Sequence, residues 1–271
     1  MRRYSKSLAP YDGTISTEYT LRMSCRIARW NDSHVLVLVP FFADHVGGED
    51  KGDFILGVKL ISRQEKVEME VLFQDGRPSD AIIDVSHKRE NDLIVMGKAE
   101  MTSLEKFVIG SITGRVIGYS KCDMIVVPED RLLRWNRILL CADGTKYSRA
   151  AVDNAIAYAR HFGGAINAVS VVDLTDEFYA LSPGGAREMV EKSIRLLGDI
   201  VDKAKESNVT VTPFVKEGER YEKILEVARE TKADVIFMGS HERVGLGSLM
   251  MGSVNRQVAM NADCPVFIIK P

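Results

Sequence analysis

The chain repeats itself, and this constrains its fold more than any other feature. Gly97 and Gly239 lie 142 residues apart, and at the same spacing Gly76 meets Gly218, Asp92 meets Asp234 and Glu100 meets Glu242. Leu104 meets Leu246, Gly110 meets Gly252, Ser111 meets Ser253 and Cys122 meets Cys264. Nearer the start of each half the spacing is 131, pairing Asp12-Gly13-Thr14 with Asp143-Gly144-Thr145 and Ala28-Arg29 with Ala159-Arg160. Register held over this distance marks a tandem duplication, with a length change of 11 residues inside the unit. A chain of 271 residues suits two ordinary α/β domains better than one. The expected domains are residues 1–130 and 136–271, joined by a segment, 128–136, too short for a free linker.

The second copy reads more clearly. Arg137 to Ala142 is an apolar run suited to a strand covered on both faces, and it ends in the turn signal Asp143-Gly144-Thr145. Ser148 is the expected helix cap, and Val152, Ile156 and Ala159 recur at helical spacing until Gly163-Gly164. Ala165 to Val172 is the second strand. A loop containing Ser182-Pro183-Gly184-Gly185 precedes a long amphipathic helix with Ala186, Met189, Val190, Ile194, Leu197, Val201 and Ala204 as its buried stripe. Val209 to Val215, Asp234 to Met238 and Pro265 to Ile269 are strands three to five. Helices are expected around Tyr221 to Ala228 and from Leu249 to Met260. The first copy repeats this order with strands at Ser5–Ala9, Val35–Val39, Val67–Phe73, Leu93–Met96 and Met124–Val127. Its second helix, within about Lys51 to Ile61, is shorter and absorbs the length change. Strict β-α alternation gives two tandem doubly wound parallel five-stranded sheets of Rossmann-like α/β class with right-handed crossovers.

Charge and composition remove several functions. Lys and Arg total 36 against 38 Asp and Glu, which leaves no basic footprint for nucleic acid and no polybasic face for a membrane. No signal peptide is visible, and no run approaches the roughly 20 apolar residues of a membrane helix, so a cytoplasmic location is expected. The four cysteines are scattered and the five histidines show no ligand spacing, which argues for reduced thiols and against a metal site.

In a doubly wound sheet, ligands sit outside the carboxyl ends of the strands where strand order reverses. Strands one and four meet there, which brings Asp143 towards Met238-Gly239. Backbone amides of the loop after Gly239, with the hydroxyl of Ser253 beside Gly252, suit phosphate, and Asp143 suits a ribose hydroxyl. Glycines also end strands and Asp-Gly also makes turns. The same set found twice in register is what favours a ligand site. His241 is a lone loop histidine, suited to a phosphate or ribose contact or to plain exposure. No P-loop, dinucleotide fingerprint or nucleophile elbow occurs, and catalysis is not expected beyond slow incidental ATP hydrolysis.

On these residues the chain resembles a tandem universal stress protein, one unit per half. The family's nucleotide signature, Gly-x2-Gly-x9-Gly-(Ser/Thr), is matched in spacing and outer positions by Gly239-Ser240-His241-Glu242 with Gly252-Ser253, and by Gly97-Lys98-Ala99-Glu100 with Gly110-Ser111. The resemblance implies ATP or a related adenine nucleotide, alone or with magnesium. It places Asp143 and Asp12 at the strand-one aspartate and Val171 at the residue whose backbone reads adenine. Val254-Asn255 and Ile112-Thr113 fall on the positions touching phosphate and ribose. It also implies pairing through strand five, Met124–Val127 against Val266–Ile269, giving a dimer-like unit within one chain, with further homo-oligomers by analogy. Two departures stand out. Glutamate replaces the second glycine in both copies; it can turn outward, meet a divalent cation, or mark a site for fewer phosphates or for none. Pro40 takes the first copy's adenine-reading position and has no N–H to donate, which makes the first-half set the weaker site. The alternative to a nucleotide-dependent regulator is a scaffold that binds no nucleotide.

Overall fold

The structure is a computed structural model describing residues 4–41, 48–98, 112–129, 131, 133–240 and 254–270. The chain divides into two compact units, Arg2–Leu132 and Leu133–Pro271.

In the first unit the order is β1 (Lys6–Pro10), α1 (Ile15–Asn31), β2 (His34–Phe41), α2 (Gly48–Glu65), β3 (Met69–Asp75), α3 (Pro78–Lys88), β4 (Leu93–Gly97), α4 (Ile112–Tyr119) and β5 (Asp123–Val127). The strands are parallel in the order β3-β2-β1-β4-β5. In the second unit it is β6 (Arg137–Cys141), α5 (Lys146–Phe162), β7 (Ala165–Val172), α6 (Asp176–Leu181), α7 (Pro183–Lys205), β8 (Val211–Glu217), α8 (Arg220–Glu230), β9 (Val235–Gly239), α9 (Val254–Asn261) and β10 (Val266–Ile269). Its parallel order is β8-β7-β6-β9-β10. In both units, therefore, strand order reverses beside the first strand, between β1 and β4 and between β6 and β9.

The central strands are buried along their length because their Val, Ile and Leu runs are covered on both faces: Leu93, Ile94 and Val95 are fully buried, as are Ile138, Leu139 and Leu140. In the second unit Trp135 stacks on Phe162 with centroids 5.3 Å apart and lies against Tyr158, Phe237 and Phe267. A β-carbon at position 164 would lie 1.9 Å from the Trp135 carbonyl oxygen, so the second residue of Gly163-Gly164 is glycine to let that segment pass.

Helix ends explain the boundaries that differ from the sequence expectation. Strands β3 and β8 each begin two residues later than Val67 and Val209. Those valines instead close the preceding helices, donating their N–H groups to Ser62 and Ala204 past left-handed Lys66 and Asn208. The same closure follows Asp32, Gly163, Glu90 and Lys232, so six helix ends form three repeat-matched pairs of which one member is glycine. Thr145, not Ser148, caps α5: its side chain accepts from the Ser148 N–H. The stretch ahead of the long helix contains α6, capped by Thr175, and α7 starts at Pro183, a residue already fixed in helical φ. Helix α2 runs 18 residues, longer than expected, so α6 together with the 23-residue α7 carries the length change.

Candidate functional site

At the carboxyl end of β6 the chain turns sharply. Gly144 takes φ of +75°, and the Asp143 Oδ1 accepts hydrogen bonds from the Thr145 N–H (2.9 Å) and hydroxyl (2.7 Å). This Asx turn aims the chain into α5. Leu196 of α7 covers the turn, 3.6 Å from where a β-carbon on Gly144 would lie. Beside the turn, Gly239 ends β9 against the first turn of α5. A β-carbon there would lie 2.3 Å from the Tyr147 carbonyl oxygen and 2.9 Å from the Ser148 Cα. The glycine is thus required by backbone packing, before any ligand is considered. The Met238 side chain is buried in the core, so only its backbone lies at the mouth. The Ser240 N–H is tied to Ile269.

The other walls come from β7 and α9. Ladder bonds between β6 and β7 end where the Ala142 N–H donates to Val169 (2.9 Å). Val171, two residues on, turns its backbone groups to the same side, beyond the end of β6, while β7 continues beside β8 to Glu217. Asn255, in the first turn of α9, donates from Nδ2 to the Gly239 carbonyl (2.9 Å). The family resemblance implies a phosphate or ribose contact for Asn255; in the structure its side chain fastens α9 to β9. Val254 is half-buried beside it.

The first unit repeats this frame. Gly13 has φ of +81°, and Asp12 Oδ1 accepts from the Thr14 N–H (3.0 Å), the Thr14 hydroxyl (2.7 Å) and the Thr17 hydroxyl (2.6 Å). Burial pushes the Asp12 carboxyl up, but the bonds from Thr17 and Thr14 outweigh it and hold the group below its ordinary range. Thr113 donates to the Gly97 carbonyl (3.2 Å) as Asn255 does to Gly239, with Ile112 ahead of it as Val254 is. Tyr11 donates its N–H to Leu38 as Ala142 does to Val169, which puts Pro40 at the position of Val171. Gly97 is less confined: its nearest neighbours are the Thr20 and Ser16 hydroxyls, at 3.2 and 3.4 Å from a built β-carbon.

Of the residues singled out in the sequence, the structure brings together Asp143, Val171, Met238, Gly239, Val254 and Asn255, and in the first unit Asp12, Gly97, Ile112 and Thr113. His241, Glu242, Gly252, Ser253, Glu100, Gly110 and Ser111 lie outside the described residues. Sequence reasoning passed over Thr145 and Thr14, although a threonine after Asp-Gly and before a helical run is a cap signal. It matched Asp92 to Asp234 without a role. These carboxylates fasten the opposite, amino end of each sheet, Asp92 on the N–H groups of Ser5 and Lys6 and Asp234 on that of Arg137.

Among the described residues other chemistry finds little footing. Cavities of about 440 and 590 Å³ lie away from this mouth, one at the amino ends of β1 to β3 and one between α5 and α7. Burial pushes the Cys25 thiol up to about 12 and raises those of Cys122 and Cys141, which makes them poor nucleophiles. Among the described residues no group of His, Cys, Asp and Glu is arranged to hold a metal, and no helix is long and apolar enough to cross a membrane.

The chain is similar to known proteins over both of its halves. The model of the universal stress protein family matches residues 3–128 and again 134–270. A universal stress protein of Methanocaldococcus jannaschii is 31% identical over 141 residues, covering 50% of this chain and 82% of that protein. One from Mycobacterium tuberculosis is 25% identical over 239 residues, 82% of this chain and 78% of its own. The crystal structure of a universal stress protein from Archaeoglobus fulgidus superposes with a TM-score of 0.77, at 20% identity, over 98% of this chain and 96% of that one, a likeness of fold.

Proposed function

This chain belongs to the universal stress protein family, and from that premise we propose that its second unit binds ATP or a related adenine nucleotide in the cytoplasm and that occupancy alters its interactions with protein partners under stress. The observation that carries this proposal is the convergence, at the reversal between β6 and β9, of the Asp143 turn, the overhanging end of β7 at Val171 and the α9 start fastened through Asn255. An adenine ring seeks backbone donors and acceptors, and Val171 offers them past the last rung of β6. Asp143 is the acceptor for a ribose hydroxyl. The first unit is the poorer binder, because Pro40 has no N–H and Asp12 Oδ1 already takes three donors. In this reading the role of the site is binding rather than turnover.

Equilibrium binding of labelled ATP is the test. Asp143→Ala and Gly252→Asp should each abolish it, whereas unaltered binding would remove this site. Denaturing protein purified without added nucleotide and assaying the released adenine compounds separates this proposal from a nucleotide-free scaffold.

A further inference from the structure

The duplication supplies an internal comparison at the mouth of the site. Directly after the Asp-Gly-Thr turn, the first unit carries Ile15-Ser16 and the second Lys146-Tyr147. Ile15 is 86% exposed, an apolar side chain with nothing to offer an anion. Lys146 is also exposed, and its Nζ stands 5.0 Å from the centroid of the Tyr147 ring. That ring is the contact its ammonium makes among the described residues. The position is fixed from below, because the Tyr147 carbonyl is the group against which Gly239 is pressed. The backbone at Lys146 therefore lies between the Asp143 turn and the end of β9, at the border of the mouth.

Charge around this point differs between the units in the same direction. The first turn of α1 contains Glu18, the usual complement to the positive end of a helix. The first turn of α5 contains no acid and begins with Lys146, which adds positive charge where it is unfavourable in isolation. An anion arriving at the mouth relieves that cost and meets a cation already held on an aromatic ring.

Resting on the nucleotide proposal above, we infer that Lys146, carried on Tyr147, is a specificity-determining residue of the second-unit site that selects nucleotides by their terminal phosphates, and that Ile15 denies the first unit this selection. The test is calorimetric titration of the full chain and of Lys146→Ala and Lys146→Arg with ATP, ADP and adenosine. Lys146→Ala should weaken ATP on the order of tenfold and leave adenosine nearly unchanged, with Lys146→Arg restoring most of the ATP affinity. Neither variant should melt lower than the unaltered chain, since the side chain is exposed and its charge is unfavourable at the start of a helix. Equal loss for ATP and adenosine, or no loss for either, overturns the role of Lys146 while the nucleotide site stands. If the unaltered chain binds none of the three, the nucleotide proposal itself falls, and this inference with it.

Discussion

Gly239 and Gly97 occupy the same place in the two units but meet different obstacles, and alanine at each should give very different results. At 239 the new β-carbon would lie 2.3 Å from the Tyr147 carbonyl oxygen, 2.6 Å from its carbon and 2.9 Å from the Ser148 Cα, all backbone atoms. Restoring normal contact requires β9 and α5 to separate by about an ångström. Neither can do so cheaply, because Phe237, Leu140, Ala151 and Ala155 between them are completely buried. Overpacking of this kind costs roughly 1–3 kcal/mol, and a clash with three backbone atoms of a packed helix belongs at about 3. At 97 the obstacles are the Thr20 and Ser16 hydroxyls at 3.2 and 3.4 Å, which can shift at the expense of the Thr20–Ser16 hydrogen bond, about 1 kcal/mol. Loss of glycine's unfolded freedom returns roughly 0.4–1 kcal/mol at either site, so Gly97→Ala should be near neutral and Gly239→Ala should cost about 2 kcal/mol. Urea unfolding followed through the emission of Trp135, which is buried in the second unit, in a Trp30→Phe background reads the second value. Calorimetry of the full chain compares the two, and for a chain this size Gly239→Ala should melt about 4–8 °C lower. If Gly239→Ala melts no lower than Gly97→Ala, the packing argument is wrong, and glycine at 239 would be required by a ligand instead.

The Asp12 turn should show itself in acid. Its depressed carboxyl pKa adds stability that is present above the ordinary carboxylate range and lost as pH falls through the folded value. Asp12→Asn should therefore be less stable than the unaltered chain at neutral pH, with the gap narrowing as pH falls through and below the ordinary carboxylate range; a gap constant with pH would refute this. At the helix ends, Lys232→Gly and Glu90→Gly replace left-handed residues with φ of 49° and 52°, and each should raise stability by about 0.5 kcal/mol. Gly163→Ala, at φ of 72°, should lower it by about 1 kcal/mol, measured by denaturant midpoint. Tyr4→Phe removes a buried hydrogen bond of 2.6 Å to Asp123 and should cost roughly 1.5–3 kcal/mol; a midpoint within error of the unaltered chain would show that the bond contributes nothing net.

Much of this molecule was legible in the chain because duplication writes each constraint twice. The two spacings located both copies, and uninterrupted runs such as Arg137 to Cys141 announced strands covered on both faces. The paired Asp-Gly-Thr turns marked the ends of β1 and β6. Helix stops were harder to read: five of the six left-handed caps are Asp, Lys, Glu or Asn, so the glycine signal appears only at Gly163. Helix α6 was hidden for a similar reason, since six residues show too little of a helical period to stand out beside Ser182-Pro183-Gly184-Gly185.

What the sequence determined by itself was the architecture: two copies of one β-α alternation, with a ligand mouth expected beside the first and fourth strands. Hydrophobic periodicity and turn residues suffice for that, because they act over short stretches of chain. Only the tertiary structure decided what the individual residues do. Gly239 is a packing necessity against Tyr147, Asn255 and Thr113 are fasteners on the preceding strand, and the backbone at Lys146 lies beside the mouth because Gly239 is pressed against its neighbour. Each of these roles depends on contacts between segments far apart in the chain, and no local pattern encodes such distances.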